Sequence, residues 1–323
     1  MDNITPLQQL AAFANGAPTA GGGHDGGAAD QAAAPRGSLP ALTIFQPREV
    51  IRLRNSTAPA SADGPEYPMS GAHFDLYFAA APGADTRLDV LDARGGALRT
   101  WSVLPPRSAG AGPETRGGGG GFRGGGGSSP GIRAEAGMQR ISWDLRYLGP
   151  WTAAAPEGGA GGPMVPPGKY SVRLTSGGQT ITRTFDLKSD PRVAADGVTD
   201  GDIAEQVKFQ LQVRDAISDA RKLQQGIEQA MANAGVKPQL APGAVGSSPG
   251  TTKYDSPLQE LYARVVDTPG IYTQGMLITQ LNNIQRMITQ ADQKVGKDAY
   301  DRYADLVKEL AAIEAQLKKL SGS

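Results

Sequence analysis

From Gly137 to Leu187 the chain alternates in a way that only a two-sided strand satisfies. Gln139, Ile141, Trp143 and Leu145 fall on one face of GMQRISWDL, and Arg140, Ser142 and Asp144 fall on the other. A period of two puts neighbouring side chains on opposite sides of a pleated backbone. After a Gly/Pro/Ala-rich connection (148–165), Pro166-Pro167-Gly168 predicts a turn. Tyr170, Val172 and Leu174 then alternate with Ser171, Arg173 and Thr175, and Gly177-Gly178 turns the chain again. Ile181, Phe185 and Leu187 are the inward candidates of the returning strand. Strands with one apolar face need other strands to pair with and a second layer to cover them.

The preceding residues supply those strands. LTIFQ and EVIRLR read as two short strands around Pro47. In HFDLYF, Phe74, Leu76 and Phe78 alternate with His73, Asp75 and Tyr77. TRLDVLD (86–92) and ALRTWSV (97–103) flank Ala93-Arg94-Gly95-Gly96, the signature of a hairpin. Many short strands separated by Gly/Pro turns, with no helix between them, predict an antiparallel, Ig-like β-sandwich over 41–190.

Helical periodicity takes over after Asp190-Pro191-Arg192. Thr199 is the expected N-cap of a long helix, with Asp200 and Asp202 in its first turn and Gly235 just past its end. The expected buried stripe is Ile203, Val207, Leu211, Ile217, Ala220, Ile227 and Met231. A loop over 236–255 precedes a short helix opened by Ser256-Pro257, carrying Leu258, Leu261, Tyr262 and Val265 and broken at Pro269-Gly270. Thr273 is read as the start of the next, with Leu277, Leu281, Ile284, Ile288 and Ala291 inward. The last, from about Lys297 to Leu320, spaces Tyr303, Leu306, Leu310, Ile313, Leu317 and Leu320 as an a/d seam. Together these predict an antiparallel helical bundle over 191–323. The seams are expected to pack on one another, with the last as the candidate for helix-mediated self-association if left open.

Two segments read as flexible. Residues 1–40 combine a short helix (3–15, Thr5 as N-cap, Pro6 at its first position) with a Gly/Ala/Pro linker. Residues 104–136 form a Gly-rich insertion expected to be disordered. An Arg/Gly-rich RNA-binding tract is the rival reading, and it expects salt-sensitive binding lost on deleting 109–131. Only three arginines and one phenylalanine lie between Pro106 and Gly131, and the 32 basic residues of the chain are balanced by 32 acidic ones. A linker is therefore favoured, and nucleic acid is not the expected partner.

Catalytic patterns are not found. The chain has no cysteine and two histidines. His24 sits in the linker beside Asp25, and His73 begins a strand beside Asp75. No G-x-S-x-G elbow, P-loop or dinucleotide fingerprint occurs, and the Gly tract at 117–127 precedes neither Lys-Ser/Thr nor a helix. Asp89/Asp92 and Asp200/Asp202 are carboxylate pairs, explained by a turn and a helix start. Trp143-Asp144 lacks the ~40-residue repeat of a propeller blade. No catalytic, cofactor-binding or metal-ligating residue and no cofactor are assigned. No apolar run reaches the ~20 residues of a membrane span, and DNITPLQQLAAFANG after Met1 has no basic leader. The chain is then either cytoplasmic or a piece of something longer.

LDVLDARGGALRTW, GMQRISWDLRYLGP and VPPGKYSVRLTSGGQTITRTFDLKSDPRV together resemble the C-terminal region of bacterial sortilin-like, BNR-repeat β-propeller proteins, commonly labelled glycosyl hydrolase. The sandwich portion also resembles the Ig-like domain of the flagellar hook-capping protein. TDGDIAEQVKFQLQVRDAISDA and PGIYTQGMLITQLNNIQRMITQADQKVGKDAYDRYADL resemble the helices that follow it. The resemblance covers about residues 40–320 and implies a periplasmic or secreted protein whose propeller carries any glycan site. That propeller is absent: Ser61-Ala62-Asp63-Gly64 lacks the spacing of an Asp-box, so no site residue is carried over. ITPLQQL resembles the segment just after the propeller. The chain is accordingly expected to be the C-terminal part of such a protein, a non-catalytic accessory module with a β-propeller as partner. The alternative is part of a glycoside hydrolase whose catalytic propeller lies on a separate chain.

Overall fold

The computed structural model describes residues 9, 39–54, 70–105, 130–237, 254–267 and 275–321. The N-terminal helix expected over 3–15, apart from Gln9, and residues 16–38 of the linker after it lie outside these. So do residues 106–129 of the Gly-rich insertion, Pro269-Gly270 and Thr273. The described residues form two sheets and five helices, divided between two compact units. One unit comprises Met1–Leu145 and Pro167–Arg192; the other comprises Arg146–Pro166 and Val193–Ser323.

The first unit holds the strands. β1 (Leu42–Ile44), β3 (Ala72–Phe78) and β6 (Gly137–Trp143) form a three-stranded antiparallel sheet in the order β1-β3-β6. β2 (Val50–Arg52), β8 (Gln179–Ser189), β7 (Gly168–Ser176), β4 (Arg87–Leu91) and β5 (Ala97–Ser102) form a five-stranded half-barrel, in that order. The expected strands are all present, but the arrangement is not wholly antiparallel: β2 runs parallel to β8, with Val50 opposite Leu187. The chain changes sheets at Gln46-Pro47, where proline cannot donate to a ladder. Gln46 ties the crossing down by donating from Nε2 to the Thr184 carbonyl (2.6 Å).

Aromatic side chains of the two sheets meet. Trp143 meets Tyr170 edge-on, with centroids 6.1 Å apart, and Phe74 meets Phe185 at 5.5 Å. Tyr170 and Phe185 stack at 5.9 Å, so four aromatics from both sheets are continuous. Gln139 faces inward among them. Its amide is satisfied by the main chain at Arg133 (Oε1 accepting, 2.9 Å; Nε2 donating, 2.9 Å) and by the Glu135 carbonyl (2.8 Å). Those bonds correct one expectation: the insertion is held at both ends. Ile132 is buried and bridges Val103. Leu104 N–H donates to the Ile132 carbonyl (2.8 Å) and Ile132 N–H to the Ser102 carbonyl (3.0 Å). The alternation of β6 also stops early. Leu145 is buried as expected, but it follows the strand with φ +60°, the one non-glycine residue described with positive φ.

The second unit holds α2 (Asp200–Asn233), α3 (Pro257–Val265), α4 (Leu277–Thr289) and α5 (Lys297–Ser321); α1 (Pro191–Ala195) precedes them at the junction. The cap residues read from sequence hold at α2. Thr199 Oγ1 accepts from Asp202 N–H while the Asp202 carboxylate accepts from Thr199 N–H, a reciprocal capping box. At the other end Gly235 takes φ +68°, and Val236 N–H and Gly235 N–H reach back to the Met231 and Ala232 carbonyls, a Schellman motif. Ser256 caps α3. α4 differs from expectation. It begins at Leu277 with Met276 as N-cap, and the capping oxygen comes from elsewhere: Asp267 accepts from Met276 N–H (2.7 Å) and Thr279 Oγ1 (2.8 Å). It ends at Thr289, so Ala291 lies beyond it and is exposed.

The stripe of α2 is broader than its apolar pattern. Leu211 is only half-buried, whereas Gln206, Phe209, Gln210 and Val213 are buried. Two partners meet this part of the helix. Phe209 packs on Tyr300 and Tyr303 of α5, with centroids at 4.2 and 5.4 Å. Gln206 Nε2 donates to the Ile288 and Ala291 carbonyls (2.8 and 2.7 Å), and Gln210 Nε2 donates to Ile288 (2.6 Å). The last carbonyls of a helix have no partner within it; these glutamines supply one to Ile288 in the last turn of α4, and Gln206 also holds Ala291 just past its end. Gln206→Ala is expected to lower stability by about 1 kcal/mol or more, because the Ala291 carbonyl loses its donor and Ile288 is left with Gln210 alone. Gln206→Glu is expected to do at least as much, because it brings negative charge to a helix C-terminus. Urea titration of both variants checks this; wild-type midpoints would refute it.

Candidate functional site

Each sequence-level candidate now has a place. Strand pairing puts His73 opposite Ser142 and Asp75 opposite Arg140 on the outer face of the three-stranded sheet. His73 Nδ1 lies 3.0 Å from Ser142 Oγ. A serine–histidine pair invites comparison with acyl-transfer enzymes, which need a carboxylate to orient the imidazole. Asp75, two residues along, has both oxygens on Arg140, at 2.8 Å to Nε and 3.1 Å to Nη2. The carboxylate is buried beneath a partly exposed guanidinium, and its hydrogen bonds and charge hold the Arg140 pKa above its ordinary value against the opposing effect of burial. This is a fork-to-fork cross-strand tie.

The acidic pairs come apart in the same way. Asp89 is buried on the outer face of the five-stranded sheet, where Thr100 Oγ1 donates to it (2.8 Å) and Arg173 Nη2 binds it at 3.0 Å. Asp92 turns away into the hairpin and accepts from Arg94 and Gly96 N–H, both at 2.8 Å. Asp202 serves the capping box. Hydrogen bonds from the Thr199 side chain, then from its backbone, hold this carboxyl below its usual value. A carboxyl lowered on folding adds stability above its unfolded pKa, ~3.9 for Asp. That contribution is lost as pH falls through the lower folded value. Asp202→Asn should therefore flatten the acid limb of the stability profile below about pH 4. Thermal melts between pH 2 and 6 test it, and parallel profiles for the two proteins would refute it.

The arrangement that sequence reasoning missed is the outer face of β6. This strand is an edge of the three-stranded sheet among the described residues. Its outward positions include Met138, 43% exposed, and the partly exposed Arg140. Met138 pairs across the strand with half-buried Tyr77. Methionine, tyrosine and arginine are the side chains enriched where proteins meet. An edge strand also offers main-chain groups to an added strand. The signal in the sequence was Met138, an apolar residue on the polar phase of its strand. The a/d seam of α5 is mostly occupied: Leu306, Leu310 and Ile313 are buried in the helical core, Tyr303 and Leu317 pack against it, and Leu320 is exposed.

His24 lies outside the described residues. Among those described, no group of three or more His, Asp or Glu side chains is gathered as a metal ion would require, and no helix is long and apolar enough to cross a membrane. No family model, curated protein or solved structure matches the chain.

Proposed function

We propose that this chain is a non-catalytic interaction module, the C-terminal part of a sortilin-like β-propeller protein, and that it docks on a propeller through the outer face of β6. The observation that carries the reading is the outer face of this strand: Met138 and Arg140 are exposed beside Tyr77, and β6 is an edge of its sheet among the described residues. The engagement of Asp75, Asp89, Asp92 and Asp202 in ties, turns and a cap supports it, since each acidic group has a structural task. We read the first unit as an Ig-like sandwich. Supporting this are the orders β1-β3-β6 and β2-β8-β7-β4-β5, and the first edge strand dividing between the two sheets. We read the second unit as a helical bundle, which its single apolar cluster over α2–α5 supports. The propeller as partner rests on the residue resemblance alone.

A binding assay in trans tests the proposal, with the purified chain immobilised and a BNR-repeat β-propeller domain in solution. Binding is expected, and Met138→Asp should weaken it about tenfold or more, the loss typical of a central interface side chain. Met287→Asp, at an exposed methionine of α4, should leave it unchanged. Absence of binding would overturn the partner. Binding indifferent to Met138→Asp would overturn this face as the docking surface.

A further inference from the structure

We draw no further inference here: the strongest candidate, the buried and unpartnered amide oxygens of Gln210 and Gln285 on the packed helices α2 and α4, has no second observation tying the two oxygens to one point or to a ligand.

Discussion

Replacing Trp143 with alanine is expected to cost the strand unit about 3–5 kcal/mol, the usual range for deleting a large aromatic from a core. Single domains have ~5–15 kcal/mol in total, so this one change can take a large share. Trp143 is 1% exposed and sits on the last residue of β6. Its ring is the first of four in contact, running through Tyr170 and Phe185 to Phe74. The backbone is also fitted closely here: a Cβ on Gly71 would stand 2.3 Å from the Trp143 carbonyl oxygen. Any cavity the neighbouring rings do not fill adds to the loss. Trp143→Phe should cost less, because much of the volume remains. A Trp143/Tyr170 double-mutant cycle should return a coupling of about 0.5–1.5 kcal/mol for the edge-on pair. Hydrogen exchange of the β7 and β8 amides in urea is the suitable readout, since far-UV circular dichroism is dominated by the helices of the second unit. A loss under about 1 kcal/mol for Trp143→Ala would mean that the ring is not the centre of this core.

The residues of this core were legible because strand alternation forces a face. Phe74, Trp143, Tyr170 and Phe185 all stand on the apolar phase of strands read from sequence, and all are buried. Caps made by local chemistry were legible too, as at Thr199 and Gly235. What could not be read was anything supplied from a distance. α4 takes its cap from Asp267, nine residues before Met276, so no Ser or Thr marks its start. β2 is a three-residue strand, too short to carry a pattern that names its partner or direction. Gln206 and Gln210 look like solvent-facing positions because their burial is compensated by carbonyls at and just past the end of another helix. The candidate site depends on register. Ser142 faces His73, and Arg140 takes Asp75 away from it, only because β3 and β6 pair as they do. A one-residue slip would exchange the faces. Met138, an apolar residue on the polar phase of its strand, is the signal that could have pointed to this face, and it was not read.

The connection between β6 and β7 shows how composition can mislead, and glycine substitutions there should have the second large effect. Gly149, Pro150, Gly158, Gly159, Gly161, Gly162 and Pro163 read as a passive loop. In the structure Arg146–Pro166 groups with the helices. Its stem closes through the Arg146–Met164 bridge, Tyr147 N–H to the Pro163 carbonyl (2.9 Å) and Gly149 N–H to the Gly159 carbonyl (2.6 Å). It is fixed to α2 by Trp151 N–H donating to Ser218 Oγ (3.0 Å) and by Arg221 donating to the Trp151 carbonyl (3.2 Å). Arg214 also donates to the Leu148 carbonyl (3.4 Å). Two adjacent glycines are present for different reasons. Gly161 has φ +81° with open space where a side chain would stand, so Gly161→Ala meets only backbone strain, about 1–2 kcal/mol. At Gly162 a Cβ would lie 2.2 Å from the Tyr147 carbonyl oxygen and 2.4 Å from that of Leu148. Those are main-chain atoms of the stem itself, so relief requires opening it and pulling Leu148 from Arg214. Gly162→Ala is expected to cost about 3 kcal/mol or more, beyond ordinary overpacking because hydrogen bonds are lost with the fit. Hydrogen exchange separates the two mechanisms. The Trp151 amide should stay protected in Gly161→Ala and lose protection in Gly162→Ala. Equal losses of stability, with Trp151 protected in both, would show that close approach is not what requires glycine at 162.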